Sequence, residues 1–200
     1  MAISFQYNKT YLQQLNKALK VRENALPTLV AKEAALRLEV KKAREQSVAV
    51  DRELETALIS LESTYGLWNE FPDNFVTMSN LDIGTHKVAG VAVPILKAIA
   101  FAVAPYSMFS MPSWIPAGIE LLKKLVELTV KKDLAHKKTV ALEYARKKTT
   151  QKVNLYEKVQ IPGYREAILK IKRFLEDEEN LSKSSQKILK NRLAALELAA

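Results

Sequence analysis

The amino-acid sequence predicts a mainly α fold: a long antiparallel two-helix coiled coil with a small middle module containing a β-hairpin. Three observations lead there. Nine of the twelve glycines and prolines fall within residues 66–118, leaving only Pro27, Pro162 and Gly163 elsewhere. The two arms outside that stretch are rich in Ala, Leu, Glu, Lys, Gln and Arg, the residues that cost least in a helix. The first arm also carries an apolar row at alternating steps of three and four. The expected divisions are an N-terminal coiled-coil helix over 1–63, a middle module over 64–117 with its hairpin at about 81–96, and a C-terminal coiled-coil helix over 118–200.

In the first arm the row runs Leu12, Leu15, Leu19, Arg22, Leu26, Leu29, Glu33, Leu36, Val40, Ala43, Ser47, Val50, Leu54, Ala57, Leu61. Twelve of these fifteen positions are apolar, with no change of phase. A 3.5-residue period sustained that long is the signature of a coiled-coil seam rather than of the broader stripe of a globular helix. A helix from Lys9 to residue 63 would span roughly 80 Å at about 1.5 Å per residue. It requires a partner, because alone it would leave its leucine row in water. Met1 to Leu12 lacks the long apolar run of a signal peptide.

The middle module changes character. Leu81 to Val88 and Val91 to Leu96 flank Ala89-Gly90, a pattern for a hairpin in which Pro94 belongs at an edge or strand end. Trp68, Phe71, Phe75, Phe101, Phe109 and Trp114 supply a small aromatic cluster. Val88 to Phe109 is the most apolar window. Its length would permit a membrane span, but Lys97 sits near its centre and Gly90, Pro94 and Pro105 interrupt it, which favours a hairpin or a partner surface.

The second arm opens at Ser113 and Pro116, proline being tolerated in a first helical turn. Leu121, Leu125, Leu128, Ala135 and Leu142 form its seam, interrupted by Lys132 and Thr139. Beyond Val153 the row moves to Ile161, Tyr164, Ile168, Ile171 and Leu175, so an extra step is inserted near Glu157. Pro162 beside Gly163 should kink this helix, as Pro27 should kink the first. The second helix exceeds the first in length, so its excess must pack on the middle module or fray.

Composition narrows the function. There is no cysteine, which removes disulfides, thiolate metal sites and cysteine nucleophiles. Five scattered glycines cannot build a phosphate-binding loop. His86 and His136 lie in different segments without zinc-enzyme spacing, and neither Asp177-Glu178-Glu179 nor Ser184-Ser185 has a partner motif. No catalytic residue, cofactor site or metal site is expected. The formal charge of +9 is uneven: residues 123–158 carry eleven basic and four acidic groups. Their lysines come in pairs, Lys123-Lys124, Lys131-Lys132, Lys137-Lys138 and Lys147-Lys148. Such a strip fits phosphates, a membrane surface, acidic protein partners, or no more than a solvated face. Aromatic interleaving is confined to Tyr144 and Tyr156, which disfavours single-stranded nucleic acid.

Three stretches of sequence add a family resemblance. Asn8-Lys-Thr-Tyr-Leu12-Gln-Gln-Leu15 through Leu19, with Lys32 and Leu36 beyond it, resembles the opening of the D subunit of V/A-type ATPases. Val153-Asn154 through Glu157, Ile161-Pro162 and then Glu166, Ile168, Ile171, Leu175 and Glu176 is similar to that family's second helix, and Val88 to Pro94 to its hairpin. Glu33 stands where the family commonly has a basic residue, and Ile95 to Trp114 matches nothing in its pattern. The resemblance implies a non-catalytic central rotor shaft, part of the central stalk, carrying torque between the catalytic hexamer and the membrane ring. It implies the catalytic A and B subunits, the F subunit and a membrane-side coupling subunit (C/d) as partners, with no nucleic acid and no direct membrane span. Its implied location is cytoplasmic and peripheral to the membrane. On this reading Lys131, Lys132, Lys137, Lys138, Val91, Val93 and Ile95 are candidate partner contacts. Pro27, Pro162 and Gly163 are candidate kinks. The alternatives are a basic coiled-coil nucleic-acid-binding protein and a membrane-active hairpin inserting Val88 to Phe109.

Overall fold

The computed structural model describes residues 4–62, 65–109 and 111–199; the expected division at Ser63 and Thr64 lies outside the described residues. In chain order the elements are α1 (Lys9–Glu62), a 3-10 turn (Tyr65–Glu70), β1 (Val76–Val88), β2 (Val91–Val103), α2 (Ile115–Asn154), a π-helical segment (Leu155–Gln160) and α3 (Ile161–Ala199). The fold is mainly α, long helices with one small antiparallel hairpin between them. By its contacts the chain forms two units, residues 1–31 with 149–200, and residues 32–148.

In the first unit Asn8 starts α1: its Oδ1 accepts the Tyr11 backbone N–H at 2.6 Å, satisfying one of the donors that a helix start leaves free. Leu15 is buried against Ala167, Ile168 and Ile171, with Phe5, Tyr11, Leu12, Leu19, Tyr164 and Leu175 packed around them. The helices run antiparallel. Tyr7, just before α1, packs against Phe174, Glu23 reaches Arg165 and Arg22 reaches Gln160, so rising numbers on the first arm meet falling ones on the second. The seam's extra step is taken up by the π-helical segment. The Ile161 N–H donates to the Tyr156 carbonyl, one residue further back than in an α-helix. Pro162 follows directly inside α3, and Pro27 lies inside an unbroken α1.

The excess length of the second arm neither packs nor frays. From Glu176 to Ala194 it is helical and every residue is exposed. α1 begins only at Lys9, so this stretch of α3 runs past the start of the helix that partners it.

In the second unit Leu36, Val40 and Ala43 of α1 share a core with Leu142 of α2 and Val93 of β2. The pairing is again antiparallel, with Arg44 to Glu143, Gln46 to Lys138 and Asp51 to Lys132. The hairpin extends beyond 81–96 on both sides, and the reason is visible in its register. Two irregularities, at Ser79 on β1 and Lys97 on β2, each insert an unpaired residue. Such bulges break the two-residue alternation by which strands are read from sequence. Ala89 (φ 49°) and Gly90 (φ 78°) both adopt left-handed backbone between the paired Val88 and Val91, the geometry of a tight two-residue hairpin turn. Counting from that turn, Pro94 pairs with Thr85 at a position whose N–H points away from the partner strand, so the missing donor costs no ladder bond.

A third core closes the base of the hairpin. Phe75, Ile115 and Ile119 are buried among Phe71, Val76, Val103, Tyr106, Met111 and Trp114. Trp68 packs edge-on against Trp114 with centroids 5.4 Å apart. Phe109 corrects the expected aromatic cluster: it is fully exposed, and Tyr106 takes the place beside Phe75 at 5.2 Å. Val88 to Phe109 is strand and loop, and among the described residues no helix is long and apolar enough to cross a membrane.

Candidate docking surfaces

All fifteen seam positions of α1 are buried or half-buried, the polar ones included. The three polar positions are solved differently. Arg22 donates from Nε to Gln160 Oε1 at 2.7 Å and from Nη1 to the Ala18 carbonyl at 2.9 Å. Its guanidinium lies 4.5 Å from the Tyr164 ring and 6.0 Å from that of Tyr156. One side chain thus ties α1 to the π-helical segment and to the helix that follows it. Glu33, only 14 % exposed at its side chain, accepts from Arg37 one turn on at 3.0 Å. Ser47 borders a groove lined by Asp51, Lys132, Asp133, His136 and Lys137. Arg22 and Tyr164 both stand in the seam rows read from the sequence, but a pattern that counts apolar positions does not show that they meet each other and Tyr156. Tyr156, Gln160 and Tyr164 follow at helical spacing around the seam's extra step.

The lysine strip is partly occupied by its own chain. Lys131 pairs with Glu127 at 2.6 Å and Lys123 with Glu120 at 2.8 Å. Lys132 stands 3.4 Å from Asp51 Oδ1, an ion pair too long for a good hydrogen bond. Lys138 donates to Gln46 Oε1 at 2.9 Å. Lys137 is exposed and makes no ion pair among the described residues, and Lys148 lies over the Tyr144 ring at 5.5 Å. Exposed pairs of this kind are worth little, so these lysines can exchange internal partners for external ones at small cost.

The three hairpin candidates separate. Val93 is 1 % exposed inside the core with Leu36, Val40, Ala43 and Leu142, so it is a core residue and offers nothing to a partner. Val91 is half-buried against the same core. Ile95 is 40 % exposed. Packing the turn end of the ribbon on the helices turns the odd-numbered β2 residues there inward, which explains the burial of Val93.

Two carboxylates on α3 have shifted titrations. A hydrogen bond and the charge of Lys170 hold Glu166 below the usual carboxylate range, and Glu166 in turn raises Lys170. Lys183 does the same to Glu179. All are solvent-exposed surface pairs at helical spacing. Among the described residues no three His, Asp or Glu side chains gather where they could hold a metal ion. His86 and His136 are both exposed, on β1 and α2.

What this arrangement offers is surface: two antiparallel helix pairings and a hairpin laid on one of them. Comparison with known proteins agrees in extent as well as kind. The profile of the family described as the D subunit of ATP synthase matches residues 11–191. The V-type ATP synthase D subunit of Borreliella burgdorferi is 28 % identical over 187 residues, covering 92 % of this chain and 93 % of that protein. The Chlamydia felis protein of the same name is 29 % identical over 176 residues, covering 86 % and 85 %. That of Chlamydia pneumoniae is 24 % identical over 198 residues, covering 96 % and 95 %. The family profile takes in both helical arms, the hairpin and the π-helical segment, and the chain belongs to the D-subunit family of V-type ATP synthases, as a non-catalytic component.

Proposed function

We propose that this chain is the central rotor shaft of a V/A-type ATPase or ATP synthase, carrying torque between the catalytic hexamer and the membrane ring. The observation that carries the reading is the family match across residues 11–191, a span that includes all fifteen seam positions of α1. A torque-bearing rod needs a continuous buried seam to resist twisting, and an outer face free of permanently adhesive apolar patches. Both chain ends enter the cavity formed by the A and B subunits. The middle of the chain meets the F subunit and the membrane-side coupling subunit. The chain is peripheral to the membrane, on its cytoplasmic side. Pro27 and Pro162-Gly163 bend the rod, and that eccentricity makes each angular position favour a different catalytic site. Unchanged coupled rotation after replacing Pro162 and Gly163 by alanine would count against the last point.

The lysine strip serves reversible contact with acidic partner surfaces. Neutralising Lys131, Lys132, Lys137 and Lys138 should weaken assembly more at low salt than at high salt, since screening already removes the contribution at high salt. Equal affinity at both salts would overturn the assignment. The shaft reading itself is tested by co-expression with the A and B subunits. Co-purification in a fixed ratio is expected, and purification with nucleic acid alone would refute it.

A further inference from the structure

Beyond Leu175, α3 carries a stretch that its own chain does not cover. Every residue from Glu176 to Ala194 is exposed, and the stretch is unbroken α-helix. It is not polar all round. Phe174, Leu181 and Ile188 recur every seven residues and so share one face, with Leu189 beside them. Their exposures are 45 %, 70 %, 55 % and 61 %. A helix with an uncovered apolar face lacks the packing that supplies most of a helix's stability. The serines between those positions need no outside partner. Ser184 and Ser185 donate their hydroxyls to the Asn180 and Leu181 carbonyls of the same helix, at 2.8 and 2.9 Å. Their short side chains let another helix come close.

The charges on this stretch are sorted by position. Residues 176–180 hold Glu176, Asp177, Glu178 and Glu179 and no basic residue. Residues 181–192 hold Lys183, Lys187, Lys190 and Arg192 and no acidic one. Glu179 and Lys183 pair within the helix at 2.8 Å. Glu176, Asp177, Glu178, Lys187, Lys190 and Arg192 make no ion pair among the described residues. Side chains on one helix reach each other only across about one turn, so the rest of the two blocks cannot neutralise itself. A second helix of the same sequence laid antiparallel sets acidic block against basic block at both ends. A parallel copy would set like against like and be repelled.

We propose that in the free chain the overhanging stretch of α3 pairs, antiparallel and two-fold symmetric, with the same stretch of a second copy. Leu181 and Ile188 of both copies lie in the contact. The acidic block of each copy faces Lys187, Lys190 and Arg192 of the other. A uniformly acidic or uniformly basic partner would match one block and repel the other. A partner carrying both blocks in reverse order fits the whole stretch, and a second copy of this chain is one. The two-fold axis uses the same patch on both copies, so each complementary feature acts twice. Five turns of helix per copy make a contact at the low end of specific interfaces, so the dimer is weak, half-formed at about 10–100 µM. The pairing does not depend on the shaft reading. Under that reading, entry of the chain end into the A and B subunits takes its place.

Sedimentation equilibrium of the purified full-length chain, at concentrations up to about 500 µM and at low and high salt, tests the pairing. The wild type should pass from monomer to dimer with rising concentration, and less readily at high salt. Leu181→Gln/Ile188→Gln should weaken the dimer at least about tenfold, the loss typical of removed anchors, with circular dichroism unchanged. Lys187→Glu/Lys190→Glu and Asp177→Lys/Glu178→Lys should each pair at least about tenfold more weakly alone. An equimolar mixture of those two charge variants should regain the wild-type affinity, because their blocks complement each other again. Variants that had merely lost their fold would not recover on mixing. A wild type that stays monomeric throughout would overturn the proposal, as would a dimer that every variant leaves intact or a mixture no better than its components. Pull-down with the A and B subunits is run in parallel, and its failure overturns the shaft reading with the pairing untouched. A monomeric wild type whose binding to those subunits is lost in the same variants would assign the stretch to them and overturn the pairing.

Discussion

Substituting alanine for Gly118 sets two opposed effects against each other, and the structure decides between them. Gly118 sits in the first turn of α2, where alanine would ordinarily stabilise a helix by up to about 1 kcal/mol. A Cβ added there would lie 2.8 Å from Trp114 Cζ3, 3.1 Å from its Cε3 and 3.3 Å from Phe71 Cε2. The indole cannot simply retreat, because Trp68 and Phe71 pack on it with centroids 5.4 and 5.8 Å away. Overpacking of this kind costs about 1–3 kcal/mol. The cost outweighs the helix gain, so a net loss of up to about 2 kcal/mol is expected. Urea denaturation followed by circular dichroism and tryptophan fluorescence measures it. In a Trp114→Leu background the obstructing ring is gone, and Gly118→Ala should become neutral or stabilising. The coupling between the two substitutions isolates the ring contact. A stabilised single variant, or an identical effect in both backgrounds, would refute the reasoning.

Three further outcomes are expected. Arg22→Ala should destabilise the first unit by about 1–3 kcal/mol, since it leaves Gln160 unpaired and removes a guanidinium from two tyrosine rings. Arg22→Lys should restore little, because an ammonium cannot both stack and donate sideways, and the melting curves of the two variants check this. Titration of Glu166 and Glu179 by NMR should place both below the usual carboxylate range, with Lys170→Ala and Lys183→Ala moving them back up. Because the folded carboxylate is depressed, each pair's contribution is complete above the ordinary carboxylate pKa. It disappears as pH falls through the lowered one. Lys170 is raised, so its share is complete below the ordinary lysine pKa and lost as pH rises through the raised one.

Local periodicity made the helices readable. A row such as Leu12, Leu15, Leu19 announces its buried face because helix geometry repeats along the chain, and the seam's extra step appears as the segment Leu155–Gln160. Ala89-Gly90 likewise marked the hairpin turn. What stayed hidden depended on contacts between distant segments or on broken periodicity. The bulges at Ser79 and Lys97 concealed the outer parts of both strands. Val93 looked like a partner contact because alternation gives a face but not what covers it, and here Leu36 and Leu142 do. Phe109 looked like core because aromatic composition carries no direction. Arg22 looked like a seam defect, though its side chain is satisfied by Gln160, 138 residues away. Charge, by contrast, was legible: behind the sum of +9 the sequence itself shows eleven basic and four acidic groups over residues 123–158.

The central claim is mechanical, and rotation tests it directly. With the A and B subunits immobilised and a bead attached to this chain in the assembled complex, ATP should drive unidirectional turning of the bead, pausing at three equivalent positions per revolution. Hydrolysis by the same complexes with the bead stationary, in preparations where this chain is shown to be bound, would contradict the shaft.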